Sequence, residues 1–193
     1  MKTFSKLLMA VGRSYAALHL ARTVVRYRRV FDWQHKRVVV TGGSRGLGLV
    51  IARLIARLLA DRDARLAICA QTEESLQTAA MELRSRGAEV ICEPCDVRDS
   101  AQVNGFIDRV ANQWDGVDVL FNVAGIITVG PLKSMTVDDF QDSMQTNCFG
   151  ALHTVLAVLP LMRQQHWGRI VNVASIGGKR AVPHMLPYSA SGR

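Results

Sequence analysis

The stretch Val38-Val39-Val40-Thr41-Gly42-Gly43-Ser44-Arg45-Gly46-Leu47-Gly48 decides the fold of this 193-residue chain. Arg37 to Val40 reads as an apolar strand, and Leu47 to about Leu59 reads as an amphipathic helix. Between them, TGGSRGLG (Thr41 to Gly48) puts glycines where backbone amides of a turn meet a helix N-terminus. That geometry binds phosphate, because unpaired N–H groups and the helix dipole converge on one point. In this reading Gly42 permits the tight turn, Gly46 lets a pyrophosphate approach the backbone, and Gly48 lets the helix pack closely on the sheet.

The same alternation continues down the chain. A second strand at Arg65 to Ala70 precedes a helix from Glu73 to Arg86. A third at Glu89 to Cys92 precedes a helix from Ser100 to Trp114, and a fourth runs from Val117 to Asn122. Gly87 and Gly116 mark helix ends. A long helical stretch from about Val137 to Met162, with Thr136 as N-cap, leads to a fifth strand at Arg169 to Val173. Strands bounded by helices on both sides predict an α/β fold with a doubly wound parallel sheet, Rossmann-like. Neither an internal repeat nor a low-complexity tract is present.

A glycine cluster alone is weak evidence, but four further motifs follow in order. They are Asp96 in CDV after strand three, FNVAG at Phe121 to Gly125, Asn147 in TNCFG, and GRIVNVAS at Gly168 to Ser175. With the TGxxxGxG spacing of the first loop, this series resembles the short-chain dehydrogenases/reductases from Arg37 to Ser191. The resemblance implies hydride transfer between a nicotinamide and a small-molecule carbonyl or alcohol. It implies cofactor contacts from Thr41, Gly42, Ser44, Arg45, Gly46, Leu47 and Gly48. Further contacts fall to Asp96 and Val97, with Asp96 against the adenine ring, and to Asn122, Ala124 and Gly125 along the adenosine. The alternative for Asp96 is a cap before the following helix.

Strand two ends Cys69-Ala70-Gln71-Thr72, with no acid before Glu73 to hold a ribose 2′-hydroxyl. Arg45, inside the glycine loop, suits a 2′-phosphate through its planar guanidinium. NADP(H) is therefore favoured over NAD(H).

The resemblance makes Tyr188 the acid/base, Ser175 a second hydrogen-bond partner of the substrate oxygen, and Asn147 the support of the helix and of a water chain. The family pattern is YxxxK. An ammonium one turn after the Tyr stabilises a phenolate, whose ordinary pKa is about 10, and grips the nicotinamide ribose. Here the run is Tyr188-Ser189-Ala190-Ser191-Gly192, and the lysine is absent. Arg193 does not replace it, since a step of five lies about 140° around a helix from the Tyr. Lys179 and Arg180 belong to the preceding loop.

The expectation is a chain truncated at YxxxK and without the later strands and helices, inactive as written. It also implies a fifth strand left as an exposed edge, where Ile170, Val171 and Val173 lose their cover. Restoring Lys at position 192 alone is not expected to rescue activity. The alternative is a non-catalytic nucleotide-binding or partner-binding fragment.

The net charge of +8 is not spread over the body. Residues 1 to 37 hold nine Lys/Arg and one acid, while the remaining 15 basic and 15 acidic residues cancel, which excludes a basic nucleic-acid face. Residues 1–34 form a basic amphipathic extension, and residues 35–193 the nucleotide-binding domain. Apolar Phe4, Leu7, Leu8, Val11, Tyr15, Leu18 and Val25 alternate with basic residues at helical spacing. No run there approaches the roughly 20 apolar residues of a membrane span. A helix packed on its own enzyme or a partner, a peripheral anchor on anionic lipid and an organelle presequence all stay open.

Four cysteines are too few for a disulfide scaffold, and the pattern reads as a cytoplasmic enzyme with reduced thiols, peripheral at a membrane if the extension anchors it. The Cys92/Cys95 pair has the spacing of a metal or redox half-site but lacks a second half. It reads as a strand end and its loop, with no metal site. Oligomer formation stays open for a longer form.

Overall fold

The computed structural model describes residues 31–59 and 65–192. The chain divides into two compact units, Met1–Trp33 and Gln34–Arg193, and the fold below is that of the second. The amphipathic helix expected over residues 1–30 lies outside the described residues, as does Arg193.

Five strands, β1 (Arg37–Thr41), β2 (Arg65–Ala70), β3 (Glu89–Pro94), β4 (Val119–Asn122) and β5 (Arg169–Asn172), form one parallel sheet in the order β3-β2-β1-β4-β5. The helices are α1 (Gly46–Leu59), α2 (Glu73–Ser85), α3 (Ser100–Trp114), α4 (Val137–Met144), α5 (Gly150–Gln164) and α6 (Leu186–Ser191). This is the doubly wound, Rossmann-like α/β fold that the strand–helix alternation implies. The strand order reverses between β1 and β4, which opens a crevice above the C-terminal ends of the strands.

The uninterrupted Val38-Val39-Val40 run suits the central strand, where both faces are covered and all three side chains are fully buried. On one face Val39, Ala67, Ile91 and Leu120 pack against Phe106, Ile107, Val110 and Trp114 of α3 and Val158 and Met162 of α5. Burying each of these large side chains contributes about 1.5–3 kcal/mol. Two helix starts are capped. The Asp99 carboxylate accepts from Ala101 N and Gln102 N ahead of α3, and Thr136 and Asp139 form a reciprocal capping box at α4. β5 is the edge of the described sheet. Ile170 packs on the core, while Val171 and Val173 are 39% and 40% exposed.

The long helix expected from Val137 to Met162 is two helices joined by a π-helical turn at Gln145–Phe149. Asn147 lies in that turn, and its side chain bonds the backbone of Ile126 in the loop after β4. Such turns concentrate at functional sites. Gly150 ends it, where a Cβ would stand 2.6 Å from Val97 Cγ2.

At the opposite end of the sheet, Arg37 and Asp118 join β1 to the start of β4. Arg37 Nε and Nη2 donate to Asp118 Oδ2 and Oδ1 at 2.7 and 2.8 Å, and Arg37 N donates to Oδ2 at 2.9 Å. Arg37 also donates to the Trp114 carbonyl (3.3 Å) and to Gln165 Oε1 (3.0 Å), tying in the ends of α3 and α5. Burial opposes the Asp118 charge, but the Arg37 hydrogen bonds and positive charge outweigh it and hold the carboxyl below its ordinary value. Asp118→Ala would strand a largely buried guanidinium and is expected to cost roughly 3 kcal/mol, read as a lower urea midpoint. Because the folded-state pKa is depressed, this contribution is present in full above the ordinary carboxylate value of about 3.9. It is lost as the pH falls below that value toward the folded one. The variant should differ least from the parent chain at the acid end of a pH–stability profile.

Candidate active site

The glycine loop is fixed by contacts that cross between strands. Thr41 Oγ1 accepts from Val123 N at 3.1 Å and Ala124 N at 3.2 Å, fastening the exit of β1 to that of β4. Gly42 turns there with φ +69°, and a Cβ on it would lie 2.8 Å from Ala124 Cα. A Cβ on Gly48 would overlap the Gly42 carbonyl oxygen, so the close approach at Gly48 is to the loop and not to the sheet. The glycine pressed on the sheet is Gly43, whose Cβ would stand 2.8 Å from Ile68 Cβ of β2. Around Gly46 a Cβ would meet nothing within 4 Å. Ser44 is buried, whereas Arg45 and Leu47 are exposed at the mouth of the turn. Among the described residues the Arg45 side chain has no hydrogen-bond or ion-pair partner.

The loops after β2 and β3 lie beside it. The Asp96 carboxylate is gripped by Arg98, with Nη2 to Oδ2 at 2.7 Å, Nε to Oδ2 at 2.9 Å and the backbone N to Oδ1 at 2.9 Å. These hydrogen bonds are the main reason its pKa is held below the ordinary carboxylate value, and Gln71 adds to them. The alternative role of Asp96 as a helix cap is taken instead by Asp99. Val97 is buried, and its carbonyl accepts from His153 Nδ1 of α5 at 2.9 Å. Asn122 is turned inward. Its amide nitrogen donates to Asn172 Oδ1 and the Ala151 carbonyl, and its oxygen accepts from Thr154 at 2.6 Å. Ala124 and Gly125 stay partly exposed along the crevice, and a Cβ on Gly125 would stand 3.2 Å from Asn147 Oδ1.

Asn147 joins the loop after β4 to α6. Its Oδ1 accepts from Ile126 N at 2.9 Å, and its Nδ2 donates to the Ile126 carbonyl at 3.1 Å and to Ser191 Oγ at 2.9 Å. Ser175 and Tyr188 flank Gly177, where an added Cβ would lie 3.4 Å from Ser175 Oγ and 3.2 Å from the Tyr188 ring. Ser175 Oγ accepts from Gly177 N at 3.1 Å. Gly192 lies one turn beyond Tyr188, with its N donating to the Tyr188 carbonyl at 3.0 Å.

The geometry fits a dinucleotide. A helix N-terminus follows Gly46, where an added Cβ would meet nothing within 4 Å, a guanidinium without a partner among the described residues stands at the loop mouth, and an oriented carboxylate lies beyond β3. The sequence reading missed Arg98 and Gln71. A cation two residues after Asp96 in a turn was the available signal. It also gave no sign of a contact between Cys69 and Cys95. Cys95 lies beside Cys69, where that thiol contact and burial push the Cys69 pKa well up, while Cys92 bonds Gln77. Among the described residues no group of three or more His, Cys, Asp or Glu could hold a metal.

The short chain dehydrogenase family profile matches residues 36–192, and the chain belongs to that family. It is 33% identical over 156 residues to the ketoacyl reductase HetN of a Nostoc species, covering 81% of this chain and 53% of that one. Among solved structures, the actinorhodin polyketide ketoreductase with NADPH superposes with a TM-score of 0.75 at 37% identity, covering 81% of this chain and 59% of the other. The NAD+-bound xylitol dehydrogenase gives 0.78 at 32%, covering 84% and 61%. The chain spans between 53% and 58% of the length of three bacterial curated relatives that it matches.

The glycine contacts separate two substitutions. Gly48→Ala drives a methyl into the Gly42 carbonyl and is expected to cost about 1–3 kcal/mol or more by overpacking. Gly46→Ala has room and carries only the left-handed backbone strain of about 1–2 kcal/mol. Urea midpoints should fall further for Gly48→Ala, and equal midpoints would contradict the steric assignment.

Proposed function

We propose that the chain carries the cofactor-binding part of an oxidoreductase that moves hydride between NADP(H) and a small-molecule carbonyl or alcohol. The observation that carries this reading is the convergence of the β1, β3, β4 and β5 loops at one end of the sheet, with Tyr188 and Ser175 both beside Gly177. When bound, the nicotinamide supplies or accepts the hydride. Backbone amides of Gly46, Leu47 and Gly48 hold the pyrophosphate, supported by Thr41, Gly42 and Ser44 in the turn, and Asp96 and Val97 flank the adenine. Ala124 and Gly125 line the adenosine. Asn122 acts from behind, through α5 and β5.

Arg45 takes the 2′-phosphate, supported by its freedom from other partners and by the absence of an acid before Glu73. Tyr188 is the acid/base, Ser175 shares the substrate oxygen, and Asn147 holds α6. The names ketoacyl reductase and polyketide ketoreductase among the similar proteins favour a ketone as the substrate. Gly192 stands where the family places its lysine, and it supports a second reading, that these residues bind nucleotide without turning over substrate. The basic amphipathic pattern of residues 1–30 supports a peripheral contact with anionic lipid as one of the three readings left open by the sequence. No described helix is long and apolar enough to cross a membrane.

Fluorescence titration should give an NADPH dissociation constant roughly tenfold or more below that for NADH, and Arg45→Ala should remove the preference by weakening NADPH alone. Tighter NADH binding would reverse the cofactor assignment. Ketone-dependent NADPH oxidation should be undetectable, and a measurable rate would overturn the inactivity that Gly192 implies.

A further inference from the structure

The grip of Arg98 on Asp96 does more than pair two charges. Arg98 folds back over a residue two positions earlier, closing a ring with its own backbone N (2.9 Å to Oδ1) and its side chain (Nε to Oδ1 at 3.1 Å and to Oδ2 at 2.9 Å, Nη2 to Oδ2 at 2.7 Å). A side-on fork of this kind fixes the plane of a carboxylate as well as its position. From behind, Arg98 Nη1 lies 3.4 Å from Asp142 Oδ1 of α4, the helix that leads into the Asn147 turn. Asp96 N donates to Gln102 Oε1 at 3.0 Å, so the backbone of the residue is held too.

An ionised carboxylate only accepts hydrogen bonds. It therefore welcomes the amine of an adenine and opposes the carbonyl oxygen of a 6-oxopurine at the same place. Such discrimination requires that the carboxylate stay ionised and aimed. An ordinary aspartate is already ionised near neutral pH, so what Arg98 supplies is the aim, through the fork of Nε and Nη2 on the carboxylate.

We propose that Arg98 is a positioning residue for Asp96, fixing the carboxylate as the acceptor that selects an adenine over a 6-oxopurine in the bound dinucleotide. This rests on the cofactor site described above. The Arg98 side chain is committed to Asp96 and Asp142, so in this proposal its loss reaches the cofactor through the carboxylate.

The test compares NADPH with its hypoxanthine analogue, in which a carbonyl replaces the adenine amine, by titration against the full chain. The parent chain should prefer NADPH by roughly tenfold or more, the worth of one hydrogen bond to a charged group. Arg98→Met should bring that preference close to one by weakening NADPH, with the analogue binding as before or slightly tighter as the repulsion of its carbonyl is relieved. Arg98→Lys, a flexible point charge without the fork, should recover part of it. Arg98→Gln gives a second neutral variant, chosen for matching far-ultraviolet circular dichroism.

Equal weakening of both ligands in the neutral variants, or an unaltered preference, would overturn the proposal. Equal binding of the two ligands by the parent chain would overturn it as well while leaving the cofactor site standing. Failure of the parent chain to bind either ligand would take down the cofactor reading and this proposal together.

Discussion

Two neighbouring parallel strands must release their chains at the same end of the sheet, and the space between them is one strand spacing, about 4.8 Å. The exits of β1 and β4 meet this constraint in this protein. Thr41 uses its hydroxyl to receive both amides of the departing β4 chain, and Ala124 Cα then occupies the place where a side chain on residue 42 would stand. The β1 chain must turn away without a side chain, and it does so with a left-handed φ. Its carbonyl then points at the first turn of α1, which explains why residue 48 must also lack a Cβ. The crevice is therefore a packing consequence before it is a binding site.

The loops that line the crevice are each anchored by a polar side chain reaching to a neighbouring element. Asn122 binds α5 and β5, His153 holds the loop after β3, Asn147 holds the loop after β4 together with α6, and Arg98 holds Asp96. Buried polar groups must be satisfied, and a group satisfied by a distant loop fixes that loop's position. Loops rooted this way keep a defined geometry that backbone turns alone would not supply. This places the rigidity of the candidate site in side-chain hydrogen bonds that reach between elements.

These anchors mark the limit of what the sequence discloses. The strands were legible because runs such as Val38–Val40 and Leu66–Ile68 are apolar without interruption, as a sheet covered on both faces demands. The tight turn at Gly42 was legible, but the Ala124 contact that also bars a side chain there was not. Gly48 was misjudged and Gly43 went unread because their close contacts, the Gly42 carbonyl and Ile68, depend on how the turn folds back on itself and over β2. The π-helical turn was invisible since apolar residues continue at helical spacing through it. A family motif located Asn122 but could not tell which way its amide turns. Asp96 and Asp99 both precede α3, and only the folded turn shows that Asp99 caps while Asp96 stays with Arg98.

The same geometry separates binding from chemistry at Asn147. In the proposed reading the adenosine half is built by the loops after β1, β2, β3 and β4, all tied down by side chains of this unit. The chemical half depends on the β5 loop and α6, joined to the rest through the contact of Asn147 with Ser191. α6 runs to Ser191, and Gly192 is its C-cap, with its N donating to the Tyr188 carbonyl. What is absent at position 192 is only a side chain, and an ammonium there is what would stabilise a phenolate. Losing that charge removes an interaction needed for proton transfer while leaving the pyrophosphate and adenine contacts untouched. In the proposed reading the missing ammonium costs nucleotide binding one contact, at the nicotinamide ribose, but costs turnover its proton relay, so retention of the first says nothing against loss of the second.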